Sequence, residues 1–146
     1  MYQHRDWQGA LLELPVSKVV CVGNNYREHI REMGSQVAPQ PVLFLAGECA
    51  VRSASADRDP HGLGEVHHEV ELAVLIGMPL SQANEDRVAR AVAGYGVALD
   101  LTLRDVQREC KSTAIREKAK AFDGACPSPV LSPRANSATR RMPALR

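Results

Sequence analysis

Short β-branched runs, cut by glycine and asparagine, set the pattern of hydrophobic and polar positions along this chain. Residues 16–22 (VSKVVCV) predict a strand that Gly23 breaks. Asn24 or Asn25 can cap a helix from 26 to about 33, with Gly34 placed to end it. Residues 41–45 (PVLFL) read as a second short strand, and 46–64 as a loop of small and charged residues. A long strand follows at 65–77 (EVHHEVELAVLIG), alternating at first and then continuously apolar. Ser81 or Asn84 caps a helix expected to run to about 93, Glu85 and Asp86 favour its positive end, and Gly94 is expected to stop it. Residues 95–103 (YGVALDLTL) predict another buried strand, 104 to about 111 a helix, and 119–122 a further short strand. No internal repeat is visible.

The 146 residues suit one domain with a core of its own. Aromatics make up only 4% of the chain, so that core must be built from Val, Leu, Ile and Ala. A formal charge of +1 gives no strong pull toward nucleic acid or an anionic membrane. No apolar run approaches the roughly 20 residues of a membrane helix, and the N-terminus lacks the order of a secretory signal. The four cysteines have no zinc spacing and read as reduced thiols, which points to the cytoplasm. Charge is unevenly distributed: residues 124–146 hold four arginines and no acid, which leaves 14 basic and 17 acidic residues, a balance of −3, elsewhere. The expected division is therefore a catalytic part at 1–126 and an irregular basic tail at 127–146.

The candidate chemistry centres on Glu69 and Glu71. Two apart on a strand, they share one face with Cα atoms about 6.6 Å apart, while Val70 and Leu72 take the other. Such a pair is commonly just a solvated face, but this strand continues as LAVLI, too apolar to be freely exposed. Buried paired carboxylates are costly unless a cation neutralises them. Asp100 has the same problem inside VALDL. Together the three acids offer only hard oxygen ligands, which suits Mg²⁺ or Mn²⁺ and disfavours zinc. His29 and Glu32, spaced i, i+3 on the first helix, can form a water-activating pair, although scattered charge on a surface helix would look the same. Arg104 and Gln107 share a helix face at the same spacing and could grip a carboxylate. His67 and His68 lie beside the acids, where packing or support of the ligands is the expected role.

The blocks VGNNYREHIREMG, HHEVELAVLIG, VAGYGVALDLTLRDVQ and AKAFDGACP, in this order, resemble the fumarylacetoacetate hydrolase family, and most closely its small bacterial acylpyruvate hydrolase-like members. The resemblance implies an α+β, mainly β fold: a barrel-like roll with peripheral helices, homodimeric in intact members, holding one Mg²⁺ or Mn²⁺. It implies Glu69, Glu71 and Asp100 as metal ligands, His29 and Glu32 as the catalytic pair on a lid helix, and Arg104, Gln107 and Lys120 at the substrate site. The implied substrate is a small 2-oxo acid, with no nucleic acid or membrane partner. The implied reaction is hydrolysis of a carbon–carbon bond in an acylpyruvate, with charge on the departing enolate stabilised by the metal and Lys120. Tautomerisation or decarboxylation of oxaloacetate at the same site is the alternative, and an inactive metal-binding remnant the second. Three stretches depart from the family pattern: 46–61, 112–116 and the tail after Pro127. Reading-frame slips in the gene or its sequencing, leaving a truncated chain, are the expected cause, and the nucleotide sequence decides it.

Overall fold

The computed structural model describes residues 2–32, 34, 37, 39–47, 50–53, 64–110, 116–128 and 131–133, with the side chains of 29, 52, 53, 128, 132 and 133 outside that description. Seven strands and four short helices occur along these residues, a mixed architecture dominated by strand as the sequence led one to expect. Strand β1 (Val19–Gly23) pairs antiparallel with β2 (Val42–Ala46), and helix α1 (Arg27–Glu32) lies between them in sequence. Gly34 sits after α1 with φ of +57°, a conformation glycine adopts without strain, and its N–H bonds the Arg31 carbonyl.

The long strands β4 (Val66–Ile76) and β5 (Val92–Leu103) form an antiparallel ladder over their whole length. A register shift between Leu75 and Ile76 ends its regular part. Helix α2 (Glu85–Ala91) connects the two. Asn84 is its cap, accepting the Arg87 N–H at 3.0 Å. The helix stops at Ala91 rather than near 93, because Val92 is already extended (φ −68°, ψ 116°) and pairs with Ile76. Gly94, expected to end the helix, lies buried inside β5 instead.

Two other expectations need correction. Residues 46–64 are not all loop: β3 (Val51–Ser53) pairs in parallel with β6 (Cys126–Ser128). Residues 119–122 are not a strand: α4 (Glu117–Lys120) is a single helical turn that buries Ala119 and Lys120. Four residues carry too little periodicity to separate the two states. Helix α3 (Arg104–Cys110) begins directly where β5 ends. Beyond Cys126 the described chain continues in pairing: Leu131 is buried, and β7 (Ser132–Pro133) adds to the edge of β5 opposite β4.

A core of small residues (Ala46, Ala50, Val51, Ala125 and Cys126) joins β2, β3 and β6. The Leu101 N–H to Ala125 carbonyl bond at 2.8 Å ties β5 to that core. The inward face of β4 therefore points at α3 and α4, and carries His67, Glu69 and Glu71, whereas Val70, Leu72, Val74 and Ile76 are exposed on the other face. Among the described residues no helix is long and apolar enough to cross a membrane.

Candidate metal and substrate site

The β4–β5 register places Glu69 directly opposite Asp100 and His67 opposite Thr102. Directly opposed residues on one face have Cβ atoms about 4.5–5.5 Å apart, so the carboxylates from the two segments meet across the ladder. Glu71 follows on the same face of β4. Period two continues on β5 as Asp100 and Thr102, and Arg104 follows as the first residue of α3, all three buried.

Lys120, 4% exposed, rises from α4 into the middle of this stripe. Its Nζ donates to Asp100 Oδ2 at 2.7 Å, Glu69 Oε2 at 2.8 Å and Thr102 Oγ1 at 2.6 Å. The Phe44 ring of β2 covers the ammonium, with the centroid 5.7 Å away. Arg104, 7% exposed, closes the other end. Its Nη2 donates to Glu69 Oε1 at 3.2 Å and to His67 Nδ1 at 3.1 Å, and its Nη1 donates to Gln107 Oε1 at 2.5 Å. An open cleft of about 340 Å³ lies against this array, lined in part by Tyr26, His67, Glu69, Glu71 and Arg104.

Electrostatics mark the acids as strained neighbours. Burial pushes the Asp100 carboxyl up, against the pull of Lys120, and the Glu69 charge adds to the push. Burial also pushes Glu71 up, with the charges of Asp100 and Glu69 adding to it and a hydrogen bond to Tyr26 opposing it. The Tyr26 hydroxyl is raised in turn by burial and by Glu71. A group of carboxylates that disfavour one another's ionisation is the arrangement a multivalent cation would relieve.

Two buried atoms have no hydrogen-bond partner among the described residues: Asp100 Oδ1, an acceptor, and Arg104 Nε, a donor. An orphaned carboxylate oxygen beside two further carboxylates fits a hard divalent ion in donor chemistry. The cage is not preassembled, since among the described residues no three His, Cys, Asp or Glu side chains stand ready to hold a metal. Lys120 already takes one oxygen from each of two of the acids.

Of the eight sequence-derived site residues, six thus gather in one place: Glu69, Glu71, Asp100, Arg104, Gln107 and Lys120. The other two lie on α1, where Glu32 is exposed and the side chain of His29 lies outside the described residues. Thr102 and Tyr26 were not anticipated. Thr102 could have been found by extending the Asp100 alternation two residues on; Tyr26 comes from a distant segment and had no local signal.

The sequence profile described as "Fumarylacetoacetate (FAA) hydrolase C-terminal" matches residues 18–144. The oxaloacetate tautomerase YcgM of Escherichia coli (strain K12) is 62% identical over 131 residues, covering 87% of this chain and 59% of the relative. Among solved structures, a fumarylacetoacetate hydrolase family protein from Yersinia pestis CO92 superposes with a TM-score of 0.89 at 60% identity, over 94% of this chain and 64% of that one. The fumarylpyruvate hydrolase from Pseudomonas aeruginosa, in complex with Mn²⁺ and pyruvate, superposes with a TM-score of 0.80 at 32% identity, over 92% and 60%. The chain spans less than two thirds of the length of each of these three relatives.

Proposed function

The chain belongs to the fumarylacetoacetate hydrolase family, and from that premise we propose that its site interconverts the enol and keto forms of oxaloacetate with the help of a divalent ion. The observation that carries this reading is the Glu69–Asp100 pair, set cross-strand against Lys120, with one Asp100 oxygen unsatisfied among the described residues. The activity named for the 62% identical relative favours tautomerisation over the hydrolysis that ranked first in the sequence. Glu69, Glu71 and Asp100 would hold Mg²⁺ or Mn²⁺, and Mn²⁺ accompanies pyruvate in the Pseudomonas aeruginosa relative. When bound, the ion supplies positive charge that favours an enolate over its neutral precursors.

The protein's own groups do the rest. Arg104 has a buried donor to spare in Nε and receives a substrate carboxylate. Lys120 donates to the oxygen on which enolate charge develops. His29 and Glu32, on α1, move the proton to and from the adjacent carbon. Phe44 over Lys120 keeps water from that ammonium.

Hydrolysis of an acylpyruvate remains the second reading, favoured by the likeness to a fumarylpyruvate hydrolase. There water activated by His29 and Glu32 attacks the distal carbonyl, the adjacent carbon–carbon bond breaks, and a pyruvate enolate leaves, its charge stabilised by the same residues. Loss of oxaloacetate enol absorbance, followed with Mg²⁺ or Mn²⁺ in parallel with acetylpyruvate cleavage, separates the two. The tautomerase reading expects faster ketonisation without pyruvate release, abolished by Glu71→Ala or His29→Ala. Acetylpyruvate cleavage with no effect on oxaloacetate would replace it with hydrolysis.

A further inference from the structure

We propose that His67 is the positioning residue for Arg104, an imidazole with its proton on Nε2 and its Nδ1 lone pair fixing the guanidinium against the cleft. Arginine has donors only, so the 3.1 Å contact from Arg104 Nη2 requires Nδ1 to accept. The proton then sits on Nε2, where Glu65 Oε1 receives it at 2.6 Å. A doubly protonated ring would turn a donor toward a donor.

The arrangement behind the ring is built to hold that tautomer. Arg108 Nη2 donates to the other oxygen of Glu65 at 2.9 Å, and Arg108 Nη1 to Asp105 Oδ1 at 2.8 Å. Asp105 Oδ2 accepts the Glu65 N–H at 3.1 Å, and the Glu65 carbonyl accepts the Arg104 N–H at 2.8 Å. The start of α3 and the start of β4 are thereby locked together, with His67 as the link that reaches the guanidinium.

Arg104 is held on three sides by side chains. His67 and Glu69 take Nη2, and Gln107 takes Nη1, leaving Nε without a partner among the described residues. Glu69 is also shared with Lys120 and belongs to the proposed ion-binding set, so it cannot serve Arg104 alone. Among the described residues His67 is the one partner of Nη2 outside that set. Its loss would free the guanidinium to turn fully onto Glu69 and away from a substrate carboxylate.

The consequence for substrate binding rests on the proposed function, in which Arg104 receives that carboxylate. The tests are therefore of two kinds. In the full chain without substrate, the long-range ¹H–¹⁵N spectrum of the histidine rings should assign His67 as the Nε2–H tautomer. An Nδ1–H tautomer overturns the proposal whatever the protein's activity. In steady-state assays with oxaloacetate, His67→Phe should raise KM about ten-fold with kcat little changed, the scale of one charge-assisted hydrogen bond. His67→Asn, whose side-chain oxygen replaces Nδ1, should recover most of the loss. Equal KM values in wild type and His67→Phe, or no difference between Phe and Asn, would mean that the ring is merely structural. A wild-type protein without turnover sinks the tautomerase reading, and the ring tautomer then decides this proposal alone.

Discussion

At the scale of single residues, Lys120 carries the heaviest electrostatic duty. Its ammonium is nearly sealed from solvent and bonded to two carboxylates and a hydroxyl. Breaking a buried pair by removing one partner is expensive, because the charge left behind has lost its solvation. Lys120→Met should therefore lower unfolding free energy by about 3–5 kcal/mol, read by urea denaturation. A loss below about 1 kcal/mol, the scale of an exposed pair, would mean that water reaches the site.

The raised carboxyls make a second residue-scale prediction. Asp100 and Glu71 titrate above their ordinary range in the fold. Between the ordinary and raised values the native state holds more protons than the unfolded chain, so stability falls as pH rises through that window. Denaturation curves across it should show the decline, and Glu71→Gln should flatten it. Stability that climbs with pH there would contradict the burial of these acids. The acids themselves were legible in the sequence, because carboxylates in apolar strands need a reason to be there. The grip of Lys120 on Glu69 was not, since it joins residues 51 apart through a helical turn that reads locally as a strand.

At the scale of elements, the β4–β5 ladder is what makes a site out of scattered residues. Alternation along residues 65–77 correctly assigned faces to Glu69 and Glu71 but carried no information about partner or register. The register that opposes Glu69 to Asp100 emerges from eleven paired positions, a property of both strands together. Helix ends were less readable for the same reason. Gly94 looks like a stop signal in isolation, yet pairing of Val92 with Ile76 draws residues 92–94 into the sheet. Asn84 was readable as a cap, since its side chain needs only its own helix to act.

At the scale of the whole molecule, two sheet faces among the described residues turn apolar side chains outward. Val20, Val22, Leu43 and Leu45 are exposed on the β1–β2 pair, and Val70, Leu72, Val74, Ile76 and Val97 on β4 and β5. Faces of this kind drive association when nothing covers them. The chain as given should self-associate with rising concentration, seen by light scattering after size exclusion, and Val70→Thr with Val97→Thr should weaken it. A monodisperse monomer with a sharp thermal transition would contradict this.

All the proposed chemistry depends on a divalent ion seated by acids from both strands. Calorimetric titration of Mn²⁺ into the protein tests this most directly. The expected result is one bound ion, lost in Glu71→Gln and in Asp100→Asn but kept in the exposed-helix control Glu85→Gln, with each variant's fold checked by circular dichroism. Wild-type protein that takes up no Mn²⁺, or binding that survives both substitutions, would contradict it.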